Sequence, residues 1–189
     1  PNAITLGNTM ILKPSEQTPL STNRIAELLA EAGLPEGVFN VVHGDRKAVE
    51  AICDHRDIQA ISSVGSTRVA KIIYKRASAN LKRVLSLGGA KNHLIVLPDA
   101  NEEMTASDVA ASMTGCAGQR CMAASAMVAV GKVDSIIDKL CEETKKIIPG
   151  KNLGAIISKR AKEQIEGYIT EAEEQGAKIL VDGRGAKVK

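Results

Sequence analysis

IQAISSVGST, residues Ile58–Thr67, predicts an apolar strand that ends at a glycine and a helix that begins directly after it. The apolar residues Val69, Ile72 and Ile73 then recur with helical spacing, and the strand-like segment Arg83–Leu87 follows the helix. A strand, a helix and a second strand in this order form a β-α-β unit whose strands run parallel. The sequence therefore predicts an α/β fold.

The same alternation extends along the rest of the chain. The predicted strands are Thr9–Pro14, Val38–Val42, Ile58–Val64, Arg83–Leu87, His93–Leu97, Ser125–Val130 and Lys178–Val181. The first predicted helix has Ser21 as its N-cap and is ended by Gly33 with Pro35. The other predicted helices are Lys47–His55, Ser66–Ala79, Ser107–Gly115, Asp134–Ile148 and Lys159–Gln175. We expect a mostly parallel sheet covered on both faces, with a ligand, typically a nucleotide, beyond the carboxyl ends of its strands. A domain change is expected near Gly88, between residues 1–87 and 88–189.

Composition excludes several classes of protein. The chain has 189 residues, of which 44% are hydrophobic and 25% charged, so an ordered core is expected. Its 25 basic and 22 acidic residues are interspersed and only three residues are aromatic, which argues against a nucleic-acid partner. The apolar runs are far shorter than the ~20 residues that cross a bilayer, and no secretory signal opens the chain. We expect no membrane partner and a cytoplasmic location, or the mitochondrial matrix in a eukaryote.

The cysteine pattern favours reduced thiols without a metal. Cys53, Cys116, Cys121 and Cys141 are irregularly spaced in a chain too long to need disulfides. Cys116 and Cys121 lie close together, but the chain has no second pair of cysteines with a matching spacing, and its three histidines are scattered. We therefore expect no metal site.

GCAGQRCM, residues Gly115–Met122, leads from a helix through a glycine turn to a cysteine that precedes an apolar strand. This arrangement presents the thiol of Cys121 as a nucleophile, which acts as thiolate and is stabilised by backbone N–H groups, a helix end or a nearby cation. Arg120 supplies the adjacent cation. On spacing alone, a small buried cysteine remains the commoner alternative.

Two further segments suit a nucleotide. Gly65 and Ser66 lie between a strand and a helix, where free N–H groups and the helix dipole can meet a phosphate. Lys13, Ser15 and Glu16 lie just past a strand, where an ammonium and a carboxylate can hold ribose hydroxyls. Ordinary helix capping and a solvated charged turn explain the same residues, and the dinucleotide fingerprint G-x-G-x-x-G is absent.

Taken together, these motifs resemble the aldehyde dehydrogenase family over essentially the whole chain. The matching segments, in family order, are Gly7–Thr9 with Lys13–Glu16, Gly33–Val42, Gly65–Thr67, Leu87–Gly89 and Gly118–Cys121. The resemblance implies a Rossmann-like parallel sheet, with residues 1–87 as part of an NAD-binding domain and residues 88–189 as part of a catalytic domain. It also implies a homo-oligomer, a tetramer in this family.

The resemblance also assigns roles to residues. Lys13 and Glu16, with Ser15 between them, would contact the adenosine ribose of NAD, and Ser66 with Gly65 would meet the pyrophosphate. Cys121 would attack the aldehyde. The family's second glycine in this turn is replaced by Ala70.

The segments Gly89–His93 and Gly118–Ala123 look like the branch of the family that oxidises methylmalonate semialdehyde with coenzyme A. Hydrolytic members carry a glutamate base immediately before Leu-Gly-Gly, where this chain has Ser86, and a serine hydroxyl is not basic near neutral pH. Coenzyme A would therefore take the acyl group. Products would be propionyl-CoA or acetyl-CoA, NADH and carbon dioxide or bicarbonate.

Several alternatives stay open. Arg120 could pair with the substrate carboxylate, activate Cys121 electrostatically or simply lie on the surface. The enzyme could hydrolyse its thioester or acylate coenzyme A from a plain aldehyde. The chain begins at Pro1 without a methionine, and the family's oxyanion asparagine would precede it, so an inactive fragment is the remaining possibility.

Overall fold

Within residues 1–186, which the computed structural model describes, six strands pair two by two, and every pair is parallel. The chain divides into two compact units, Pro1–Gly89 and Ala90–Lys189. The first unit contains, in order, α1 (Asn2–Thr5), β1 (Met10–Leu12), α2 (Leu20–Glu31), β2 (Phe39–Val41), α3 (Arg46–Asp54), β3 (Ala60–Val64), α4 (Thr67–Ala79) and β4 (Arg83–Leu87). The second contains β5 (Asn92–Val96), α5 (Glu102–Thr114), β6 (Ala124–Ala129), α6 (Asp134–Lys145) and α7 (Lys159–Glu174).

The predicted α/β class and the β-α-β unit are confirmed. β3 and β4 pair in parallel from Ala60 opposite Arg83 to Val64 opposite Leu87, with α4 between them in the chain. The Ser66 hydroxyl accepts a hydrogen bond from Val69 N–H at 3.4 Å and begins α4. The side chain of Ser66 therefore fixes the start of the helix in this crossover.

The core of the first unit lies between β3–β4 and the helices α3 and α4. Cys53, Ile73 and Ala77 are buried there, and Ile61 and Val84 pack against them. Arg76 donates two hydrogen bonds to Asp54, at 2.9 and 2.6 Å, which join α4 to α3 and hold the pKa of that carboxyl below its usual value.

The strands pair in parallel as predicted, but within residues 1–186 they do not form one continuous sheet covered on both faces. β1–β2, β3–β4 and β5–β6 are separate two-stranded sheets in the described part of the chain. Side chains alternate along β3, so that Ile61 faces the helices while Val64 is 76% exposed on the other face. Both α3 and α4 pack on the face that carries Ile61. Within residues 1–186, no helix covers the face that carries Val64.

The second unit has its own core between β5–β6 and α6. Val96, Val133 and Ile136 are almost fully buried, with Leu94 and Met127 packed against them. α5 and α6 are also joined by ion pairs, because Lys139 lies 2.8 Å from Glu102 and 2.5 Å from Glu103.

Three local predictions are corrected. Ser21 does not cap a helix: α2 begins one residue earlier, after Pro19, whose fixed φ and missing N–H suit a helix start. Lys178–Val181 forms no strand, since no described segment pairs with it. α5 begins at Glu102 rather than Ser107, because the Asn101 side chain accepts from Met104 N–H at 3.0 Å. No helix in residues 1–186 is long and apolar enough to cross a membrane.

We predict a graded loss of stability at Ile73. The side chain is 7% exposed in the core of the first unit, so Ile73→Ala should cost about 2–5 kcal/mol of unfolding free energy and Ile73→Val about 0.5–1.5. Urea unfolding of the full-length protein measures both variants. Equal losses of unfolding free energy in the two variants, or no loss in Ile73→Ala, would contradict this packing of Ile73.

Candidate active site

The segment before Cys121 is a tight left-handed turn. α5 ends at Thr114, and a short 3₁₀ turn follows over Gly115–Gly118. Cys116, Ala117 and Gly118 have φ values of +51°, +54° and +72°. The left-handed conformation is easy for glycine but costs roughly 1–2 kcal/mol for each residue with a Cβ. This backbone therefore needs support from its surroundings.

Gln119 supplies part of that support. Its amide nitrogen donates to the carbonyls of Cys116 and Ala155, at 2.9 and 3.2 Å, and its amide oxygen accepts from Ile157 N–H at 2.8 Å. One side chain thus binds the left-handed turn to the segment that precedes α7. The sequence placed Gln119 in a family motif but indicated no role for it.

Cys121 follows on an exposed turn directly before β6. Its carbonyl accepts a hydrogen bond from the Asn92 side chain at 2.7 Å, and the same amide nitrogen donates to Ala123 O at 3.0 Å. Among residues 1–186, the backbone N–H of Cys121 has no hydrogen-bond acceptor. Both the thiol and an adjacent N–H are therefore available to a substrate.

Arg120 lies back against the end of α5. Its guanidinium donates to Ala111 O at 3.2 Å. A Cβ placed on Gly115 would lie 1.1 Å from Arg120 Nη2. The guanidinium group therefore packs against the backbone at Gly115, where only glycine leaves room for it. This contact engages one of five guanidinium N–H donors, and the side chain is exposed.

The other cysteines lie in different surroundings. Cys116 is exposed and lines a largely apolar cavity of about 590 Å³ with Ile157, Ile165 and Tyr168. Cys53 is 1% exposed, and burial raises the pKa of its thiol. Cys141 is partly buried. Within the described residues, no group of three or more His, Cys, Asp or Glu side chains could hold a metal ion.

Lys13 lies just beyond the carboxyl end of β1 and is largely buried. Its ammonium donates to the carbonyls of Pro14 and Gly44, the latter at 2.8 Å, and lies 3.6 Å from the exposed carboxylate of Glu16. The Ser15 hydroxyl accepts from Gln17 N–H at 3.3 Å. An ammonium and a carboxylate are thus held side by side, and together they can donate to and accept from a vicinal diol.

Gly65 and Ser66 occupy the turn between β3 and α4, and both are exposed. A Cβ added at Gly65 would meet no atom within 4 Å, so the turn is open to a bound group. The Thr67 hydroxyl accepts from Gly89 N–H at 3.0 Å, which ties this turn to the end of β4. The first N–H groups of α4 point out of the helix here, as an anion requires.

Ser86 is partly buried beside α4. Its hydroxyl donates to Ala70 O at 2.9 Å and is paired with the Ser63 hydroxyl at 2.8 Å. The side chain at this position therefore packs between β4 and α4 and serves the fold. It offers neither charge nor free basicity to a reaction.

The residues predicted for a nucleotide site therefore form two groups within the first unit, Lys13 with Glu16 and Gly65 with Ser66. Cys121 and Arg120 belong to the second unit. Sequence reasoning missed the contacts of Asn92 and Gln119. Each lies in a segment that carries the family resemblance, but hydrogen bonds across 29 and 38 residues have no signature in one sequence.

Comparison with known proteins gives a consistent result. The model of the aldehyde dehydrogenase family matches residues 1–189. Malonate-semialdehyde dehydrogenase 1 of Geobacillus kaustophilus is 48% identical over 190 residues, which cover 97% of this chain and 39% of that protein. The acylating, mitochondrial methylmalonate-semialdehyde/malonate-semialdehyde dehydrogenase of Rattus norvegicus is 45% identical over 195 residues, covering 100% of this chain and 36% of that protein.

Solved structures agree in fold. The methylmalonate-semialdehyde dehydrogenase of Oceanimonas doudoroffii superimposes with a TM-score of 0.91 at 46% identity, covering 97% of this chain and 39% of that one. A Sinorhizobium meliloti 1021 protein is provisionally described as a methylmalonate-semialdehyde dehydrogenase and is complexed with NAD. It superimposes with a TM-score of 0.92 at 45% identity, covering 99% of this chain and 40% of that one. The chain thus spans 36–40% of the length of these relatives. On this similarity of sequence and structure along its whole length, the chain belongs to the aldehyde dehydrogenase family.

Proposed function

We propose that the full-length protein oxidises malonate or methylmalonate semialdehyde with NAD and coenzyme A, through a thioester on Cys121. The observation that carries this proposal is the exposed Cys121, whose carbonyl is bound by Asn92 and whose N–H is free of other acceptors within residues 1–186. The sequence identity of 45–48% to relatives named for these semialdehydes supports the substrate class.

The first unit fits NAD. Lys13 and Glu16, with Ser15 between them, present an ammonium beside a carboxylate for the adenosine ribose. Gly65 and Ser66 present an open turn and a helix start for the pyrophosphate. We assign residues 1–87 to the NAD-binding domain and residues 88–189 to the catalytic domain. The NAD complex of the Sinorhizobium meliloti relative supports the choice of cofactor.

The second unit supplies the nucleophile. The Cys121 thiolate adds to the aldehyde carbon, and the Cys121 N–H donates to the oxyanion that forms. NAD, held by Lys13, Glu16, Gly65 and Ser66, would supply the acceptor for the hydride of that carbon. Loss of hydride leaves an acyl thioester on Cys121. The thiolate of coenzyme A then attacks the thioester carbonyl and displaces the Cys121 thiolate. The substrate carboxylate leaves as carbon dioxide, and the carbanion that this leaves on the α-carbon takes up a proton from water.

Ser86 explains why water is a poor acceptor. Its hydroxyl bonds Ala70 O and Ser63, so this position provides no base to activate water. We also propose a homotetramer, in the cytoplasm or the mitochondrial matrix; the rat relative is described as mitochondrial.

We predict that turnover requires coenzyme A. Without coenzyme A, the full-length enzyme should release one NADH per active Cys121 in a burst and then stall, because no group at Ser86 activates water. Stopped-flow NADH absorbance measures the burst, and adding coenzyme A to the stalled enzyme is the control that restores turnover. Steady NADH production with free acid as the product would refute the acylating assignment.

Arg120 is our candidate partner for the substrate carboxylate. We predict that Arg120→Leu lowers kcat/KM for malonate semialdehyde about 10- to 100-fold, since a charge-assisted pair is lost. Propanal has no carboxylate and should lose much less, and Arg120→Lys should retain part of the semialdehyde activity. Because Arg120 also bonds Ala111 O, equal losses for both aldehydes would assign the arginine to the turn beside Cys121 instead.

A further inference from the structure

Asn92 joins the first residue of β5 to the turn that carries the nucleophile. Its amide nitrogen donates to Cys121 O at 2.7 Å and to Ala123 O at 3.0 Å, so both of its N–H groups are used on this one segment. We propose that Asn92 is a positioning residue for Cys121, setting the orientation of its backbone and hence of its thiol. This inference rests on the proposed role of Cys121.

The strand register explains why a side chain is needed here. β5 and β6 pair regularly from His93 opposite Ala126 onward, but Asn92 lies opposite Ala124, which leaves Ser125 as an extra residue in the ladder. The ladder therefore has a bulge at Ser125, four residues after Cys121, and bulges commonly redirect the chain beside reactive sites. Beyond the regular backbone pairs of the ladder, the side-chain amide of Asn92 supplies the hydrogen bonds to this segment.

The remaining contacts hold other peptide groups of the turn but not the Cys121 carbonyl. Ala123 is buried and its N–H donates to Arg120 O at 3.1 Å, while Ala124 N–H donates to the Ser112 hydroxyl at 3.2 Å. Cys121 is exposed. Among residues 1–186, the hydrogen bond from Asn92 is the one that binds the Cys121 carbonyl, whereas Ala123 N–H holds the preceding peptide group, which carries the Cys121 N–H, through Arg120 O.

Loss of this bond has a specific consequence. The Cys121 carbonyl and the thiol share one Cα, so a freed carbonyl allows rotation about the N–Cα bond of Cys121, which moves the thiol relative to the oxyanion-binding N–H that the Arg120 carbonyl keeps in place. Asn92 does not belong to the residues proposed for NAD. Its removal should therefore slow the chemical step and leave NAD binding unchanged.

The test uses Asn92→Leu in the full-length enzyme, which keeps the side-chain size and removes the donors. Asn92→Asp provides a second variant that replaces donors by acceptors. Asn152→Leu is the matched control, because Asn152 also binds backbone in the second unit, accepting from Ile148 N–H at 2.6 Å and donating to Lys146 O at 3.2 Å. For each variant, kcat, KM for NAD, Tm and the iodoacetamide labelling rates of Cys121 and Cys116 are measured.

We expect the Asn92 variants to lower kcat about 10- to 100-fold with KM for NAD within roughly twofold, since a small misplacement of a reacting group costs this much. The ratio of Cys121 to Cys116 labelling should change as well, and Asn152→Leu should alter neither quantity even if its Tm falls equally. Unchanged kcat in both Asn92 variants, or an equal loss in Asn152→Leu, would overturn the positioning role. Inactive wild-type enzyme would instead refute the proposed function, while the labelling ratio would still report on Asn92.

Discussion

The left-handed turn Cys116–Gly118 is the constraint on which the candidate active site depends. It allows α5 to end, the chain to reverse and β6 to begin within ten residues of Thr114, with Cys121 exposed between them. Two of its residues carry a Cβ, so the turn is disfavoured on its own. Gln119 offsets that cost through three hydrogen bonds, and Gly115 leaves room for Arg120. The exposed thiol is therefore a product of the surrounding fold.

In the first unit, the residues proposed for NAD lie in ordinary backbone turns. Lys13 follows β1 and Ser66 follows β3, each at the carboxyl end of a parallel strand, where ligands of α/β proteins commonly bind. Carbonyls of Pro14 and Gly44 hold the Lys13 ammonium, and Thr67 joins the start of α4 to the end of β4. The groups that we propose for NAD thus lie in turns at the ends of two separate strand pairs, while the second unit carries the proposed nucleophile, Cys121.

Most strands and helices could be predicted from local patterns, because each depends on nearby residues. The strand that ends at Val64 and the helix that Ser66 caps are examples. The continuity of the sheet could not be predicted, since pairing between strands depends on distant segments: β1–β2 and β3–β4 remain separate sheets in the described part of the chain. Lys178–Val181 has a strand-like composition but no partner in residues 1–186. The position of Cys121 in its motif was visible in the sequence, whereas the hydrogen bond from Asn92, 29 residues away, was not.

The central claim is that Cys121 carries the acyl group during the reaction. The most direct measurement is to incubate the full-length enzyme with methylmalonate semialdehyde and NAD without coenzyme A, quench it in acid and map the adduct by peptide mass spectrometry. The account predicts an acyl thioester, propionyl or methylmalonyl, on the peptide that contains Cys121, and its disappearance when coenzyme A is added before the quench. An adduct on Cys116, or NADH formed in stoichiometric amount with Cys121 unmodified, would contradict it.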